Sequence, residues 1–383
     1  MDLLHPHKVV QSSFPILWLL LSLHSSSMAA TAFYLTRNSR TIHRIQQGGK
    51  PNVLPSCDVF SGSWVSDSSY PLYSSSDCPY IDSTFGCSRR PDADYLKYRW
   101  QPSAPSCQLP RFNGLEFLNR MAGKKVMFVG DSLSRNQWES LVCMISASVP
   151  KPQIQVAGGD PLSVANFPEY KVQISYYKAV YLVDIDMYQG KNYLKLDDIR
   201  GNGNSWGDAD VLSFNTGHWY FHSRVTRGWD MVEYGVNQVN DVDGMEALER
   251  GLRTWASWVD HNVDRSRTKV FFQAISPTHY GADQWNIGPQ TTTTESCVGQ
   301  TGPSAAYPNT FPNPVEDVIE KVIKGMKNPP LLLNITGLSA MRKDAHPSIY
   351  GGKGESGGAD CSHWCLPGLP DTWNLLFNYM LSL

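Results

Sequence analysis

Two short groups of residues in this chain are equipped for acyl chemistry: Gly130-Asp131-Ser132 and Asp360-Cys361-Ser362-His363. A serine hydroxyl is a weak nucleophile until a base takes its proton. Imidazole is suited to that task, and a carboxylate on its other nitrogen keeps the ring in the useful tautomer. An aspartate and a histidine three residues apart in a turn or helix share a face. Asp360 could therefore orient His363, and His363 could serve Ser132. Each group also has a plainer reading. Asp and Ser are favoured helix N-caps, and a histidine between Cys361 and Cys365 could be incidental to a disulfide knot.

The elements around Ser132 favour the chemical reading. Lys125-Val126-Met127-Phe128-Val129 reads as a short buried strand, and residues 133–145 as a helix with Trp138, Leu141, Val142 and Ile145 on one face. A strand, a sharp turn through Gly130 and a helix would present the hydroxyl at the carboxyl edge of a sheet. The first N–H groups of the helix would then favour a developing oxyanion. A short helix is expected ahead of this strand, from Leu115 to Met121. Further strands are expected over 172–177, 179–183, 210–214, 269–275 and 331–335, with helices over 245–259 and 315–326. Strands alternating with helices imply a mostly parallel α/β sheet covered on both faces. Ser132, Asn215 with His218, and His279 all fall at strand ends, where open α/β sheets bind ligands. The glycine-rich stretch 351–358 lacks the phosphate-loop spacing.

A net charge of −2 and a pI near 6.5, with no block of basic residues, exclude a nucleic-acid footprint. Twelve Trp and eighteen Tyr suit either core packing or a platform for sugar rings. His5, His7 and Lys8 precede the apolar run 14–23, and Ala30-Thr31-Ala32 fits a cleavage site, so residues 1–32 read as a signal peptide or short anchor. The run is short for the roughly twenty residues of a membrane span. Residues 33–55 read as a flexible stem. Eight cysteines in a secreted chain favour disulfides, and Cys361-x-x-x-Cys365 has no second pair at zinc spacing, so no metal is expected. Asn334-Ile335-Thr336 is a glycosylation sequon. Residues 56–111 hold Cys57, Cys78, Cys87 and Cys107 with little periodicity, and read as a disulfide-tied cap on a catalytic domain spanning 112–383.

Several stretches together resemble the plant trichome-birefringence-like proteins of the PC-esterase group, relatives of the SGNH/GDSL hydrolases. They are Tyr98-Arg99-Trp100-Gln101-Pro102, residues 128–137 around Gly130-Asp131-Ser132, Phe214-Asn215-Thr216-Gly217-His218-Trp219, Ser276-Pro277-Thr278-His279, residues 342–348, and residues 360–368. Ala345 stands where the family usually has glycine. The resemblance, from about Cys57 to the C-terminus, implies an SGNH-like fold and a Ser132–His363–Asp360 triad. It also implies disulfides Cys57–Cys107, Cys78–Cys143, Cys87–Cys365 and Cys297–Cys361. The activity it implies is transfer of an acetyl group, through an acetyl-serine, onto a plant cell-wall polysaccharide such as xylan or pectin. A wall acetylesterase and a non-catalytic wall-binding protein are the alternatives. No bound cofactor is expected beyond an acetyl donor of undefined identity. The expected location is the Golgi lumen, as a single-pass type II membrane protein, or the cell wall after secretion. Asn215 is expected to help the Ser132 N–H hold the oxyanion beside Gly130, with Arg135 and Trp364 facing sugar.

Overall fold

The computed structural model describes residues 57–280, 296–304, 313–352 and 358–383. The expected leader and stem lie outside these residues. Among the described residues no helix is long and apolar enough to cross a membrane.

In chain order, the cap contributes an antiparallel pair, β1 (Gly62–Ser66) and β2 (Tyr98–Pro102). Helix α1 (Gly114–Arg120) leads into β3 (Lys125–Gly130) and α2 (Ser132–Ser148). Strands β4 (Gln155–Gly158), β5 (Leu162–Phe167) and β6 (Val172–Lys178) follow, then the hairpin β7 (Asp184–Tyr188) and β8 (Lys191–Lys195). After the short helix α3 (Arg200–Asn204) come β9 (Val211–Phe214), β10 (Met231–Tyr234), β11 (Asn237–Val239) and the long helix α4 (Gly244–Asn262). The remainder is β12 (Lys269–Gln273), α5 (Pro314–Lys324), β13 (Leu331–Leu333), α6 (Thr336–Ala340) and α7 (Leu369–Ser382).

The central sheet runs β13-β12-β9-β3-β6-β5-β4. The first five of these strands are parallel, and β5 and β4 complete one edge in antiparallel fashion. Numbered by their order within the parallel core, the strands read 5-4-3-1-2, the flavodoxin-like order. Its switch point lies between the first and third strands, here β3 and β9. Crossover helices leaving on opposite sides open a crevice there, at the carboxyl ends of the strands.

Both sheet faces are covered, which explains the unbroken apolar runs. Val126 and Phe128 of β3 enter one core with Leu141 of α2 and Phe377 of α7. Met127 and Val129 enter the other with Leu252 and Trp255 of α4 and Ile319 of α5. The first core continues into the cap through Val59, Tyr73, Tyr95 and Trp100. Trp100 faces Trp64 across the β1–β2 pair and donates its indole N–H to the Val59 carbonyl, so it packs rather than lines a cleft. Asp371 ties three parts together by accepting hydrogen bonds from Tyr73 of the cap, Ser140 of α2 and the Gly368 backbone.

The strand expected over 179–183 does not form. Ala179 and Leu182 close a turn, Leu182 takes φ +63, and the apolar side chains pack into the core without ladder partners. The next segment instead builds a small mixed sheet, β11-β10-β8-β7, buried on one face through Leu194 and Val232.

Candidate active site

The turn after β3 decides what Ser132 can do. Asp131, not Ser132, is the N-cap of α2, and its carboxylate accepts the Leu133 N–H at 2.9 Å. Ser132 becomes the first helical residue, with its hydroxyl free of capping duty and its N–H among those lacking an intrahelical acceptor. Gly130 makes the turn with φ +153; a Cβ there would sit 1.9 Å from Asn215 Oδ1 and 2.4 Å from its carbonyl oxygen.

The chain returns to this point 231 residues later, where His363 Nε2 lies 2.7 Å from Ser132 Oγ. His363 Nδ1 lies 2.7 Å from Asp360 Oδ2. The other carboxylate oxygen, Oδ1, accepts from the Ser362 N–H, the Ser362 hydroxyl and the His363 N–H, each at 3.1 Å. Burial works to raise the Asp360 pKa, but the His363 hydrogen bond and charge and these N–H donors outweigh it and hold the carboxyl well below the usual range.

The backbone around this pair is held from every side. Asp360 exchanges both backbone hydrogen bonds with Ser348, and Trp364 N–H and C=O both bond the side chain of Asn136 on α2. Four disulfides join the pairs that the resemblance implies: Cys57–Cys107, Cys78–Cys143, Cys87–Cys365 and Cys297–Cys361. The last two flank His363, fastening its loop to the cap and to the segment after β12. Asn136 lies one helical turn after Ser132, so the i, i+4 spacing was a readable signal of its shared face.

Behind the triad, two buried histidines form a chain. A carbonyl only accepts, so His346 Nδ1 carries the proton donated to the His363 carbonyl at 2.6 Å. His346 Nε2 then accepts from His279 Nδ1, also at 2.6 Å. Burial pushes the His346 pKa down to about 3; the His363 carbonyl and Asp360 oppose this, and the charges of His363 and Arg342 add to it. A folded pKa below the unfolded one means the unfolded state binds more protons between about pH 3 and 6.5. Stability from His346 is therefore full above that window and is lost on acidification. Acidifying from pH 7 to 5 should remove about 2 kcal/mol from the difference in unfolding free energy between wild type and His346→Asn. Urea unfolding of both proteins at the two pH values checks this, and a pH-independent difference would refute it.

Three expected site residues have protein partners of their own. Asn215 is buried, but its amide N–H donates to Asp131 Oδ1 at 2.9 Å, and its Oδ1 accepts from Asp131 N and Ser134 Oγ. It braces the Gly130-Asp131 turn, and these bonds commit one of its two amide N–H groups. Trp364 cannot face sugar, because it is fully buried, stacked on His346 at 3.8 Å and bonded to Ser276 Oγ. Arg135 is half-exposed but engaged by Asp82 of the cap and by buried Glu139, each at 2.9 Å. Removing Arg135 strands the Glu139 carboxylate, whose pKa burial already pushes up to about 7. Arg135→Ala should thus lower stability by about 1–2 kcal/mol, with no specific loss of sugar affinity. Thermal unfolding and oligosaccharide titration separate the two effects.

A cavity of about 380 Å³ opens onto Ser132 and His363, walled by His218, Trp219, Phe221, His222, Thr278 and Tyr280. The motifs quoted above include His218, Trp219 and Thr278, but not Phe221, His222 or Tyr280, which come from two loops and share no spacing. A larger groove of about 630 Å³ between α3 and α4 carries arginines already paired with acids, and its Thr254 hydroxyl donates to the Leu196 carbonyl. Asn334 is exposed just beyond β13.

A flavodoxin-ordered sheet with a serine, a histidine and an aspartate aligned at its switch point defines an SGNH-like α/β protein. Its relatives narrow the class. Residues 109–380 match the PC-esterase family, described as a GDSL/SGNH-like acyl-esterase family found in Pmr5 and Cas1p, and residues 55–108 match the PMR5 N-terminal domain. The chain is 49% identical over 341 residues to protein trichome birefringence-like 38 of Arabidopsis thaliana, covering 88% of this chain and 87% of that protein. It is 47% identical over 331 residues to protein trichome birefringence-like 41 of the same plant, covering 85% and 91%. The chain belongs to the PC-esterase family.

Proposed function

We propose that the protein is an O-acetyltransferase that moves an acetyl group through an acetyl-Ser132 intermediate onto a hydroxyl of a plant cell-wall polysaccharide, xylan or pectin among the acceptors. The observation that carries this reading is the continuous line Asp360–His363–Ser132, at 2.7 Å per step, opening onto a cavity.

In the first half-reaction His363 Nε2 takes the Ser132 proton as Oγ bonds to the acetyl carbonyl carbon. The tetrahedral oxyanion is held by the Ser132 N–H at the N-terminus of α2. Collapse breaks the bond to the donor's leaving group, which receives the proton from His363. In the second half, a sugar hydroxyl attacks the acetyl carbonyl, gives its proton to His363, and leaves as the acetyl ester while Ser132 Oγ recovers a proton. Water in place of sugar would make the same site an acetylesterase.

The test is intact mass of the protein after exposure to a small activated acetyl ester, with and without xylan or homogalacturonan oligomers, beside Ser132→Ala. An acetyl adduct on wild type that passes to the oligomer, absent from Ser132→Ala, supports a transferase. Free acetate alone, dependent on Ser132, would make it an esterase. Oligomer binding with no acetylation of protein or sugar would leave a wall-binding protein. Such a residence, and passage through the Golgi lumen, accord with the four disulfides.

A further inference from the structure

The small sheet β11-β10-β8-β7 has one face in the core, through Leu194 and Val232, and the other open to solvent. Side chains alternate along a strand, so the register settles which of them share the outer face. Asp186 stands opposite Tyr193, Lys195 opposite Glu233, and Glu233 opposite Gln238. Tyr188 follows Asp186 by two residues and lies on the same face. It is held there by the tight turn through Gln189 and Gly190, with φ values of +50 and +75. These side chains line a groove of about 420 Å³ that shares no residue with the cavity at Ser132. Tyr188 is 62% exposed, and its ring centre lies 6.4 Å from that of half-exposed Tyr193. Exposed apolar surface rimmed by polar groups marks a binding site, and tyrosine rings supply rigid contact area at little conformational cost. The charges narrow the ligand. Among the residues lining the groove Lys195 is the one cation, and it is paired with Glu233, which also accepts from Gln238 Nε2 at 3.0 Å. Two carboxylates against one ammonium repel a polyanion, while Asp186 and the Gln238 amide remain able to accept hydrogen bonds from neutral hydroxyls.

We propose that this outer face is a second polysaccharide-binding site, separate from the triad, that takes a neutral glycan chain of the xylan type. A pyranose ring has apolar C–H faces and a hydroxyl edge. Its faces pack on Tyr188 and Tyr193, and its hydroxyls bond Asp186 and Gln238. A chain held here stays close to the molecule, which raises the local concentration of its other hydroxyls without any new contact at Ser132.

The test is a titration of the Ser132→Ala protein, labelled with carbon-13 at its methionine methyls, with a xylan hexamer, so that binding is read without turnover. Met187 is 77% exposed and lines the same groove, and its methyl resonance, assigned by its loss in Met187→Leu, reports occupancy. That resonance should shift and saturate. Tyr188→Ala should weaken the binding about tenfold, and Tyr188→Trp, which keeps a ring, should retain it. Tyr188 is exposed, so the thermal midpoint should not change. In the protein with Ser132 intact, Tyr188→Ala should leave acetate release from a small ester unchanged. A Met187 resonance that does not move at millimolar hexamer overturns the proposal, as does an affinity indifferent to Tyr188→Ala. Homogalacturonan oligomers bound as tightly as xylan would overturn the assignment to a neutral chain. Failure here leaves the transferase reading standing, and a protein that forms no acetyl-Ser132 yet shifts at Met187 would lose that reading and keep this one.

Discussion

Asp360→Asn should reduce acetyl turnover by on the order of 10⁴-fold while the protein remains folded. Asp360 Oδ1 is committed to the Ser362 and His363 N–H groups, so an asparagine carbonyl takes that place and its NH₂ faces His363 Nδ1. Two donors cannot share one hydrogen bond. His363 must then leave Nδ1 unprotonated and carry its proton on Nε2, 2.7 Å from Ser132 Oγ, where it cannot accept the hydroxyl proton. The imidazolium formed during the reaction also loses its counter-charge. Asp360 is held well below the usual carboxylate range and is ionised across mildly acidic and neutral pH. The depressed carboxyl gives stability that is present above its unfolded pKa near 3.9 and lost only as pH falls through the lower folded value. Steady-state release of acetate from a small activated ester at pH 7 measures the defect. A loss under tenfold would mean that Asp360 does not set the tautomer of His363.

The parts legible in the sequence were those whose neighbours in the chain are also their neighbours in space. β3, the Gly130 turn and α2 form one strand–turn–helix unit, and an apolar run flanked by lysine and glycine suffices to mark it. Asp360 and His363 share a turn, so their spacing showed their pairing. What was not legible depends on side-chain direction across the fold. Trp364 adjoins His363 in sequence, yet its backbone, held by Asn136, turns the indole inward onto His346. The Asn215 amide lies at the expected sheet edge, and its brace on the Gly130-Asp131 turn is a contact across the fold that no spacing announces. Helix α7 carries apolar residues on most of its circumference because it lies between the sheet and the cap, so no amphipathic period announces it. The strands β7, β8, β10 and β11 are short and buried on one face at most, and their polar outer face reads as loop. The disulfides that flank His363 carry the positioning further. A nucleophile and a base drawn from opposite ends of the chain must stay within hydrogen-bond reach, and loops without cross-links do not hold such tolerances well.

Trp364→Ala should destabilise the protein by about 3–5 kcal/mol. The indole is fully buried, its ring lies 3.8 Å from that of His346 and 6.1 Å from that of Trp373, and its N–H donates to Ser276 Oγ at 2.8 Å. Truncation would open a cavity against the histidine chain and leave Ser276 without its donor. The cost should not remain local, because His346 bonds the His363 carbonyl and Trp364 follows His363 directly. Turnover should fall together with the denaturation midpoint. Trp364→Phe fills most of the space and loses mainly the indole hydrogen bond, so about 1–2 kcal/mol is expected for it. A sugar-stacking tryptophan would behave differently: removal would raise the KM for oligosaccharide and spare stability. Urea unfolding of the three proteins, beside acceptor titrations, distinguishes the two roles. A Trp364→Ala protein as stable as wild type but weaker for sugar would overturn the packing role and return Trp364 to the acceptor site.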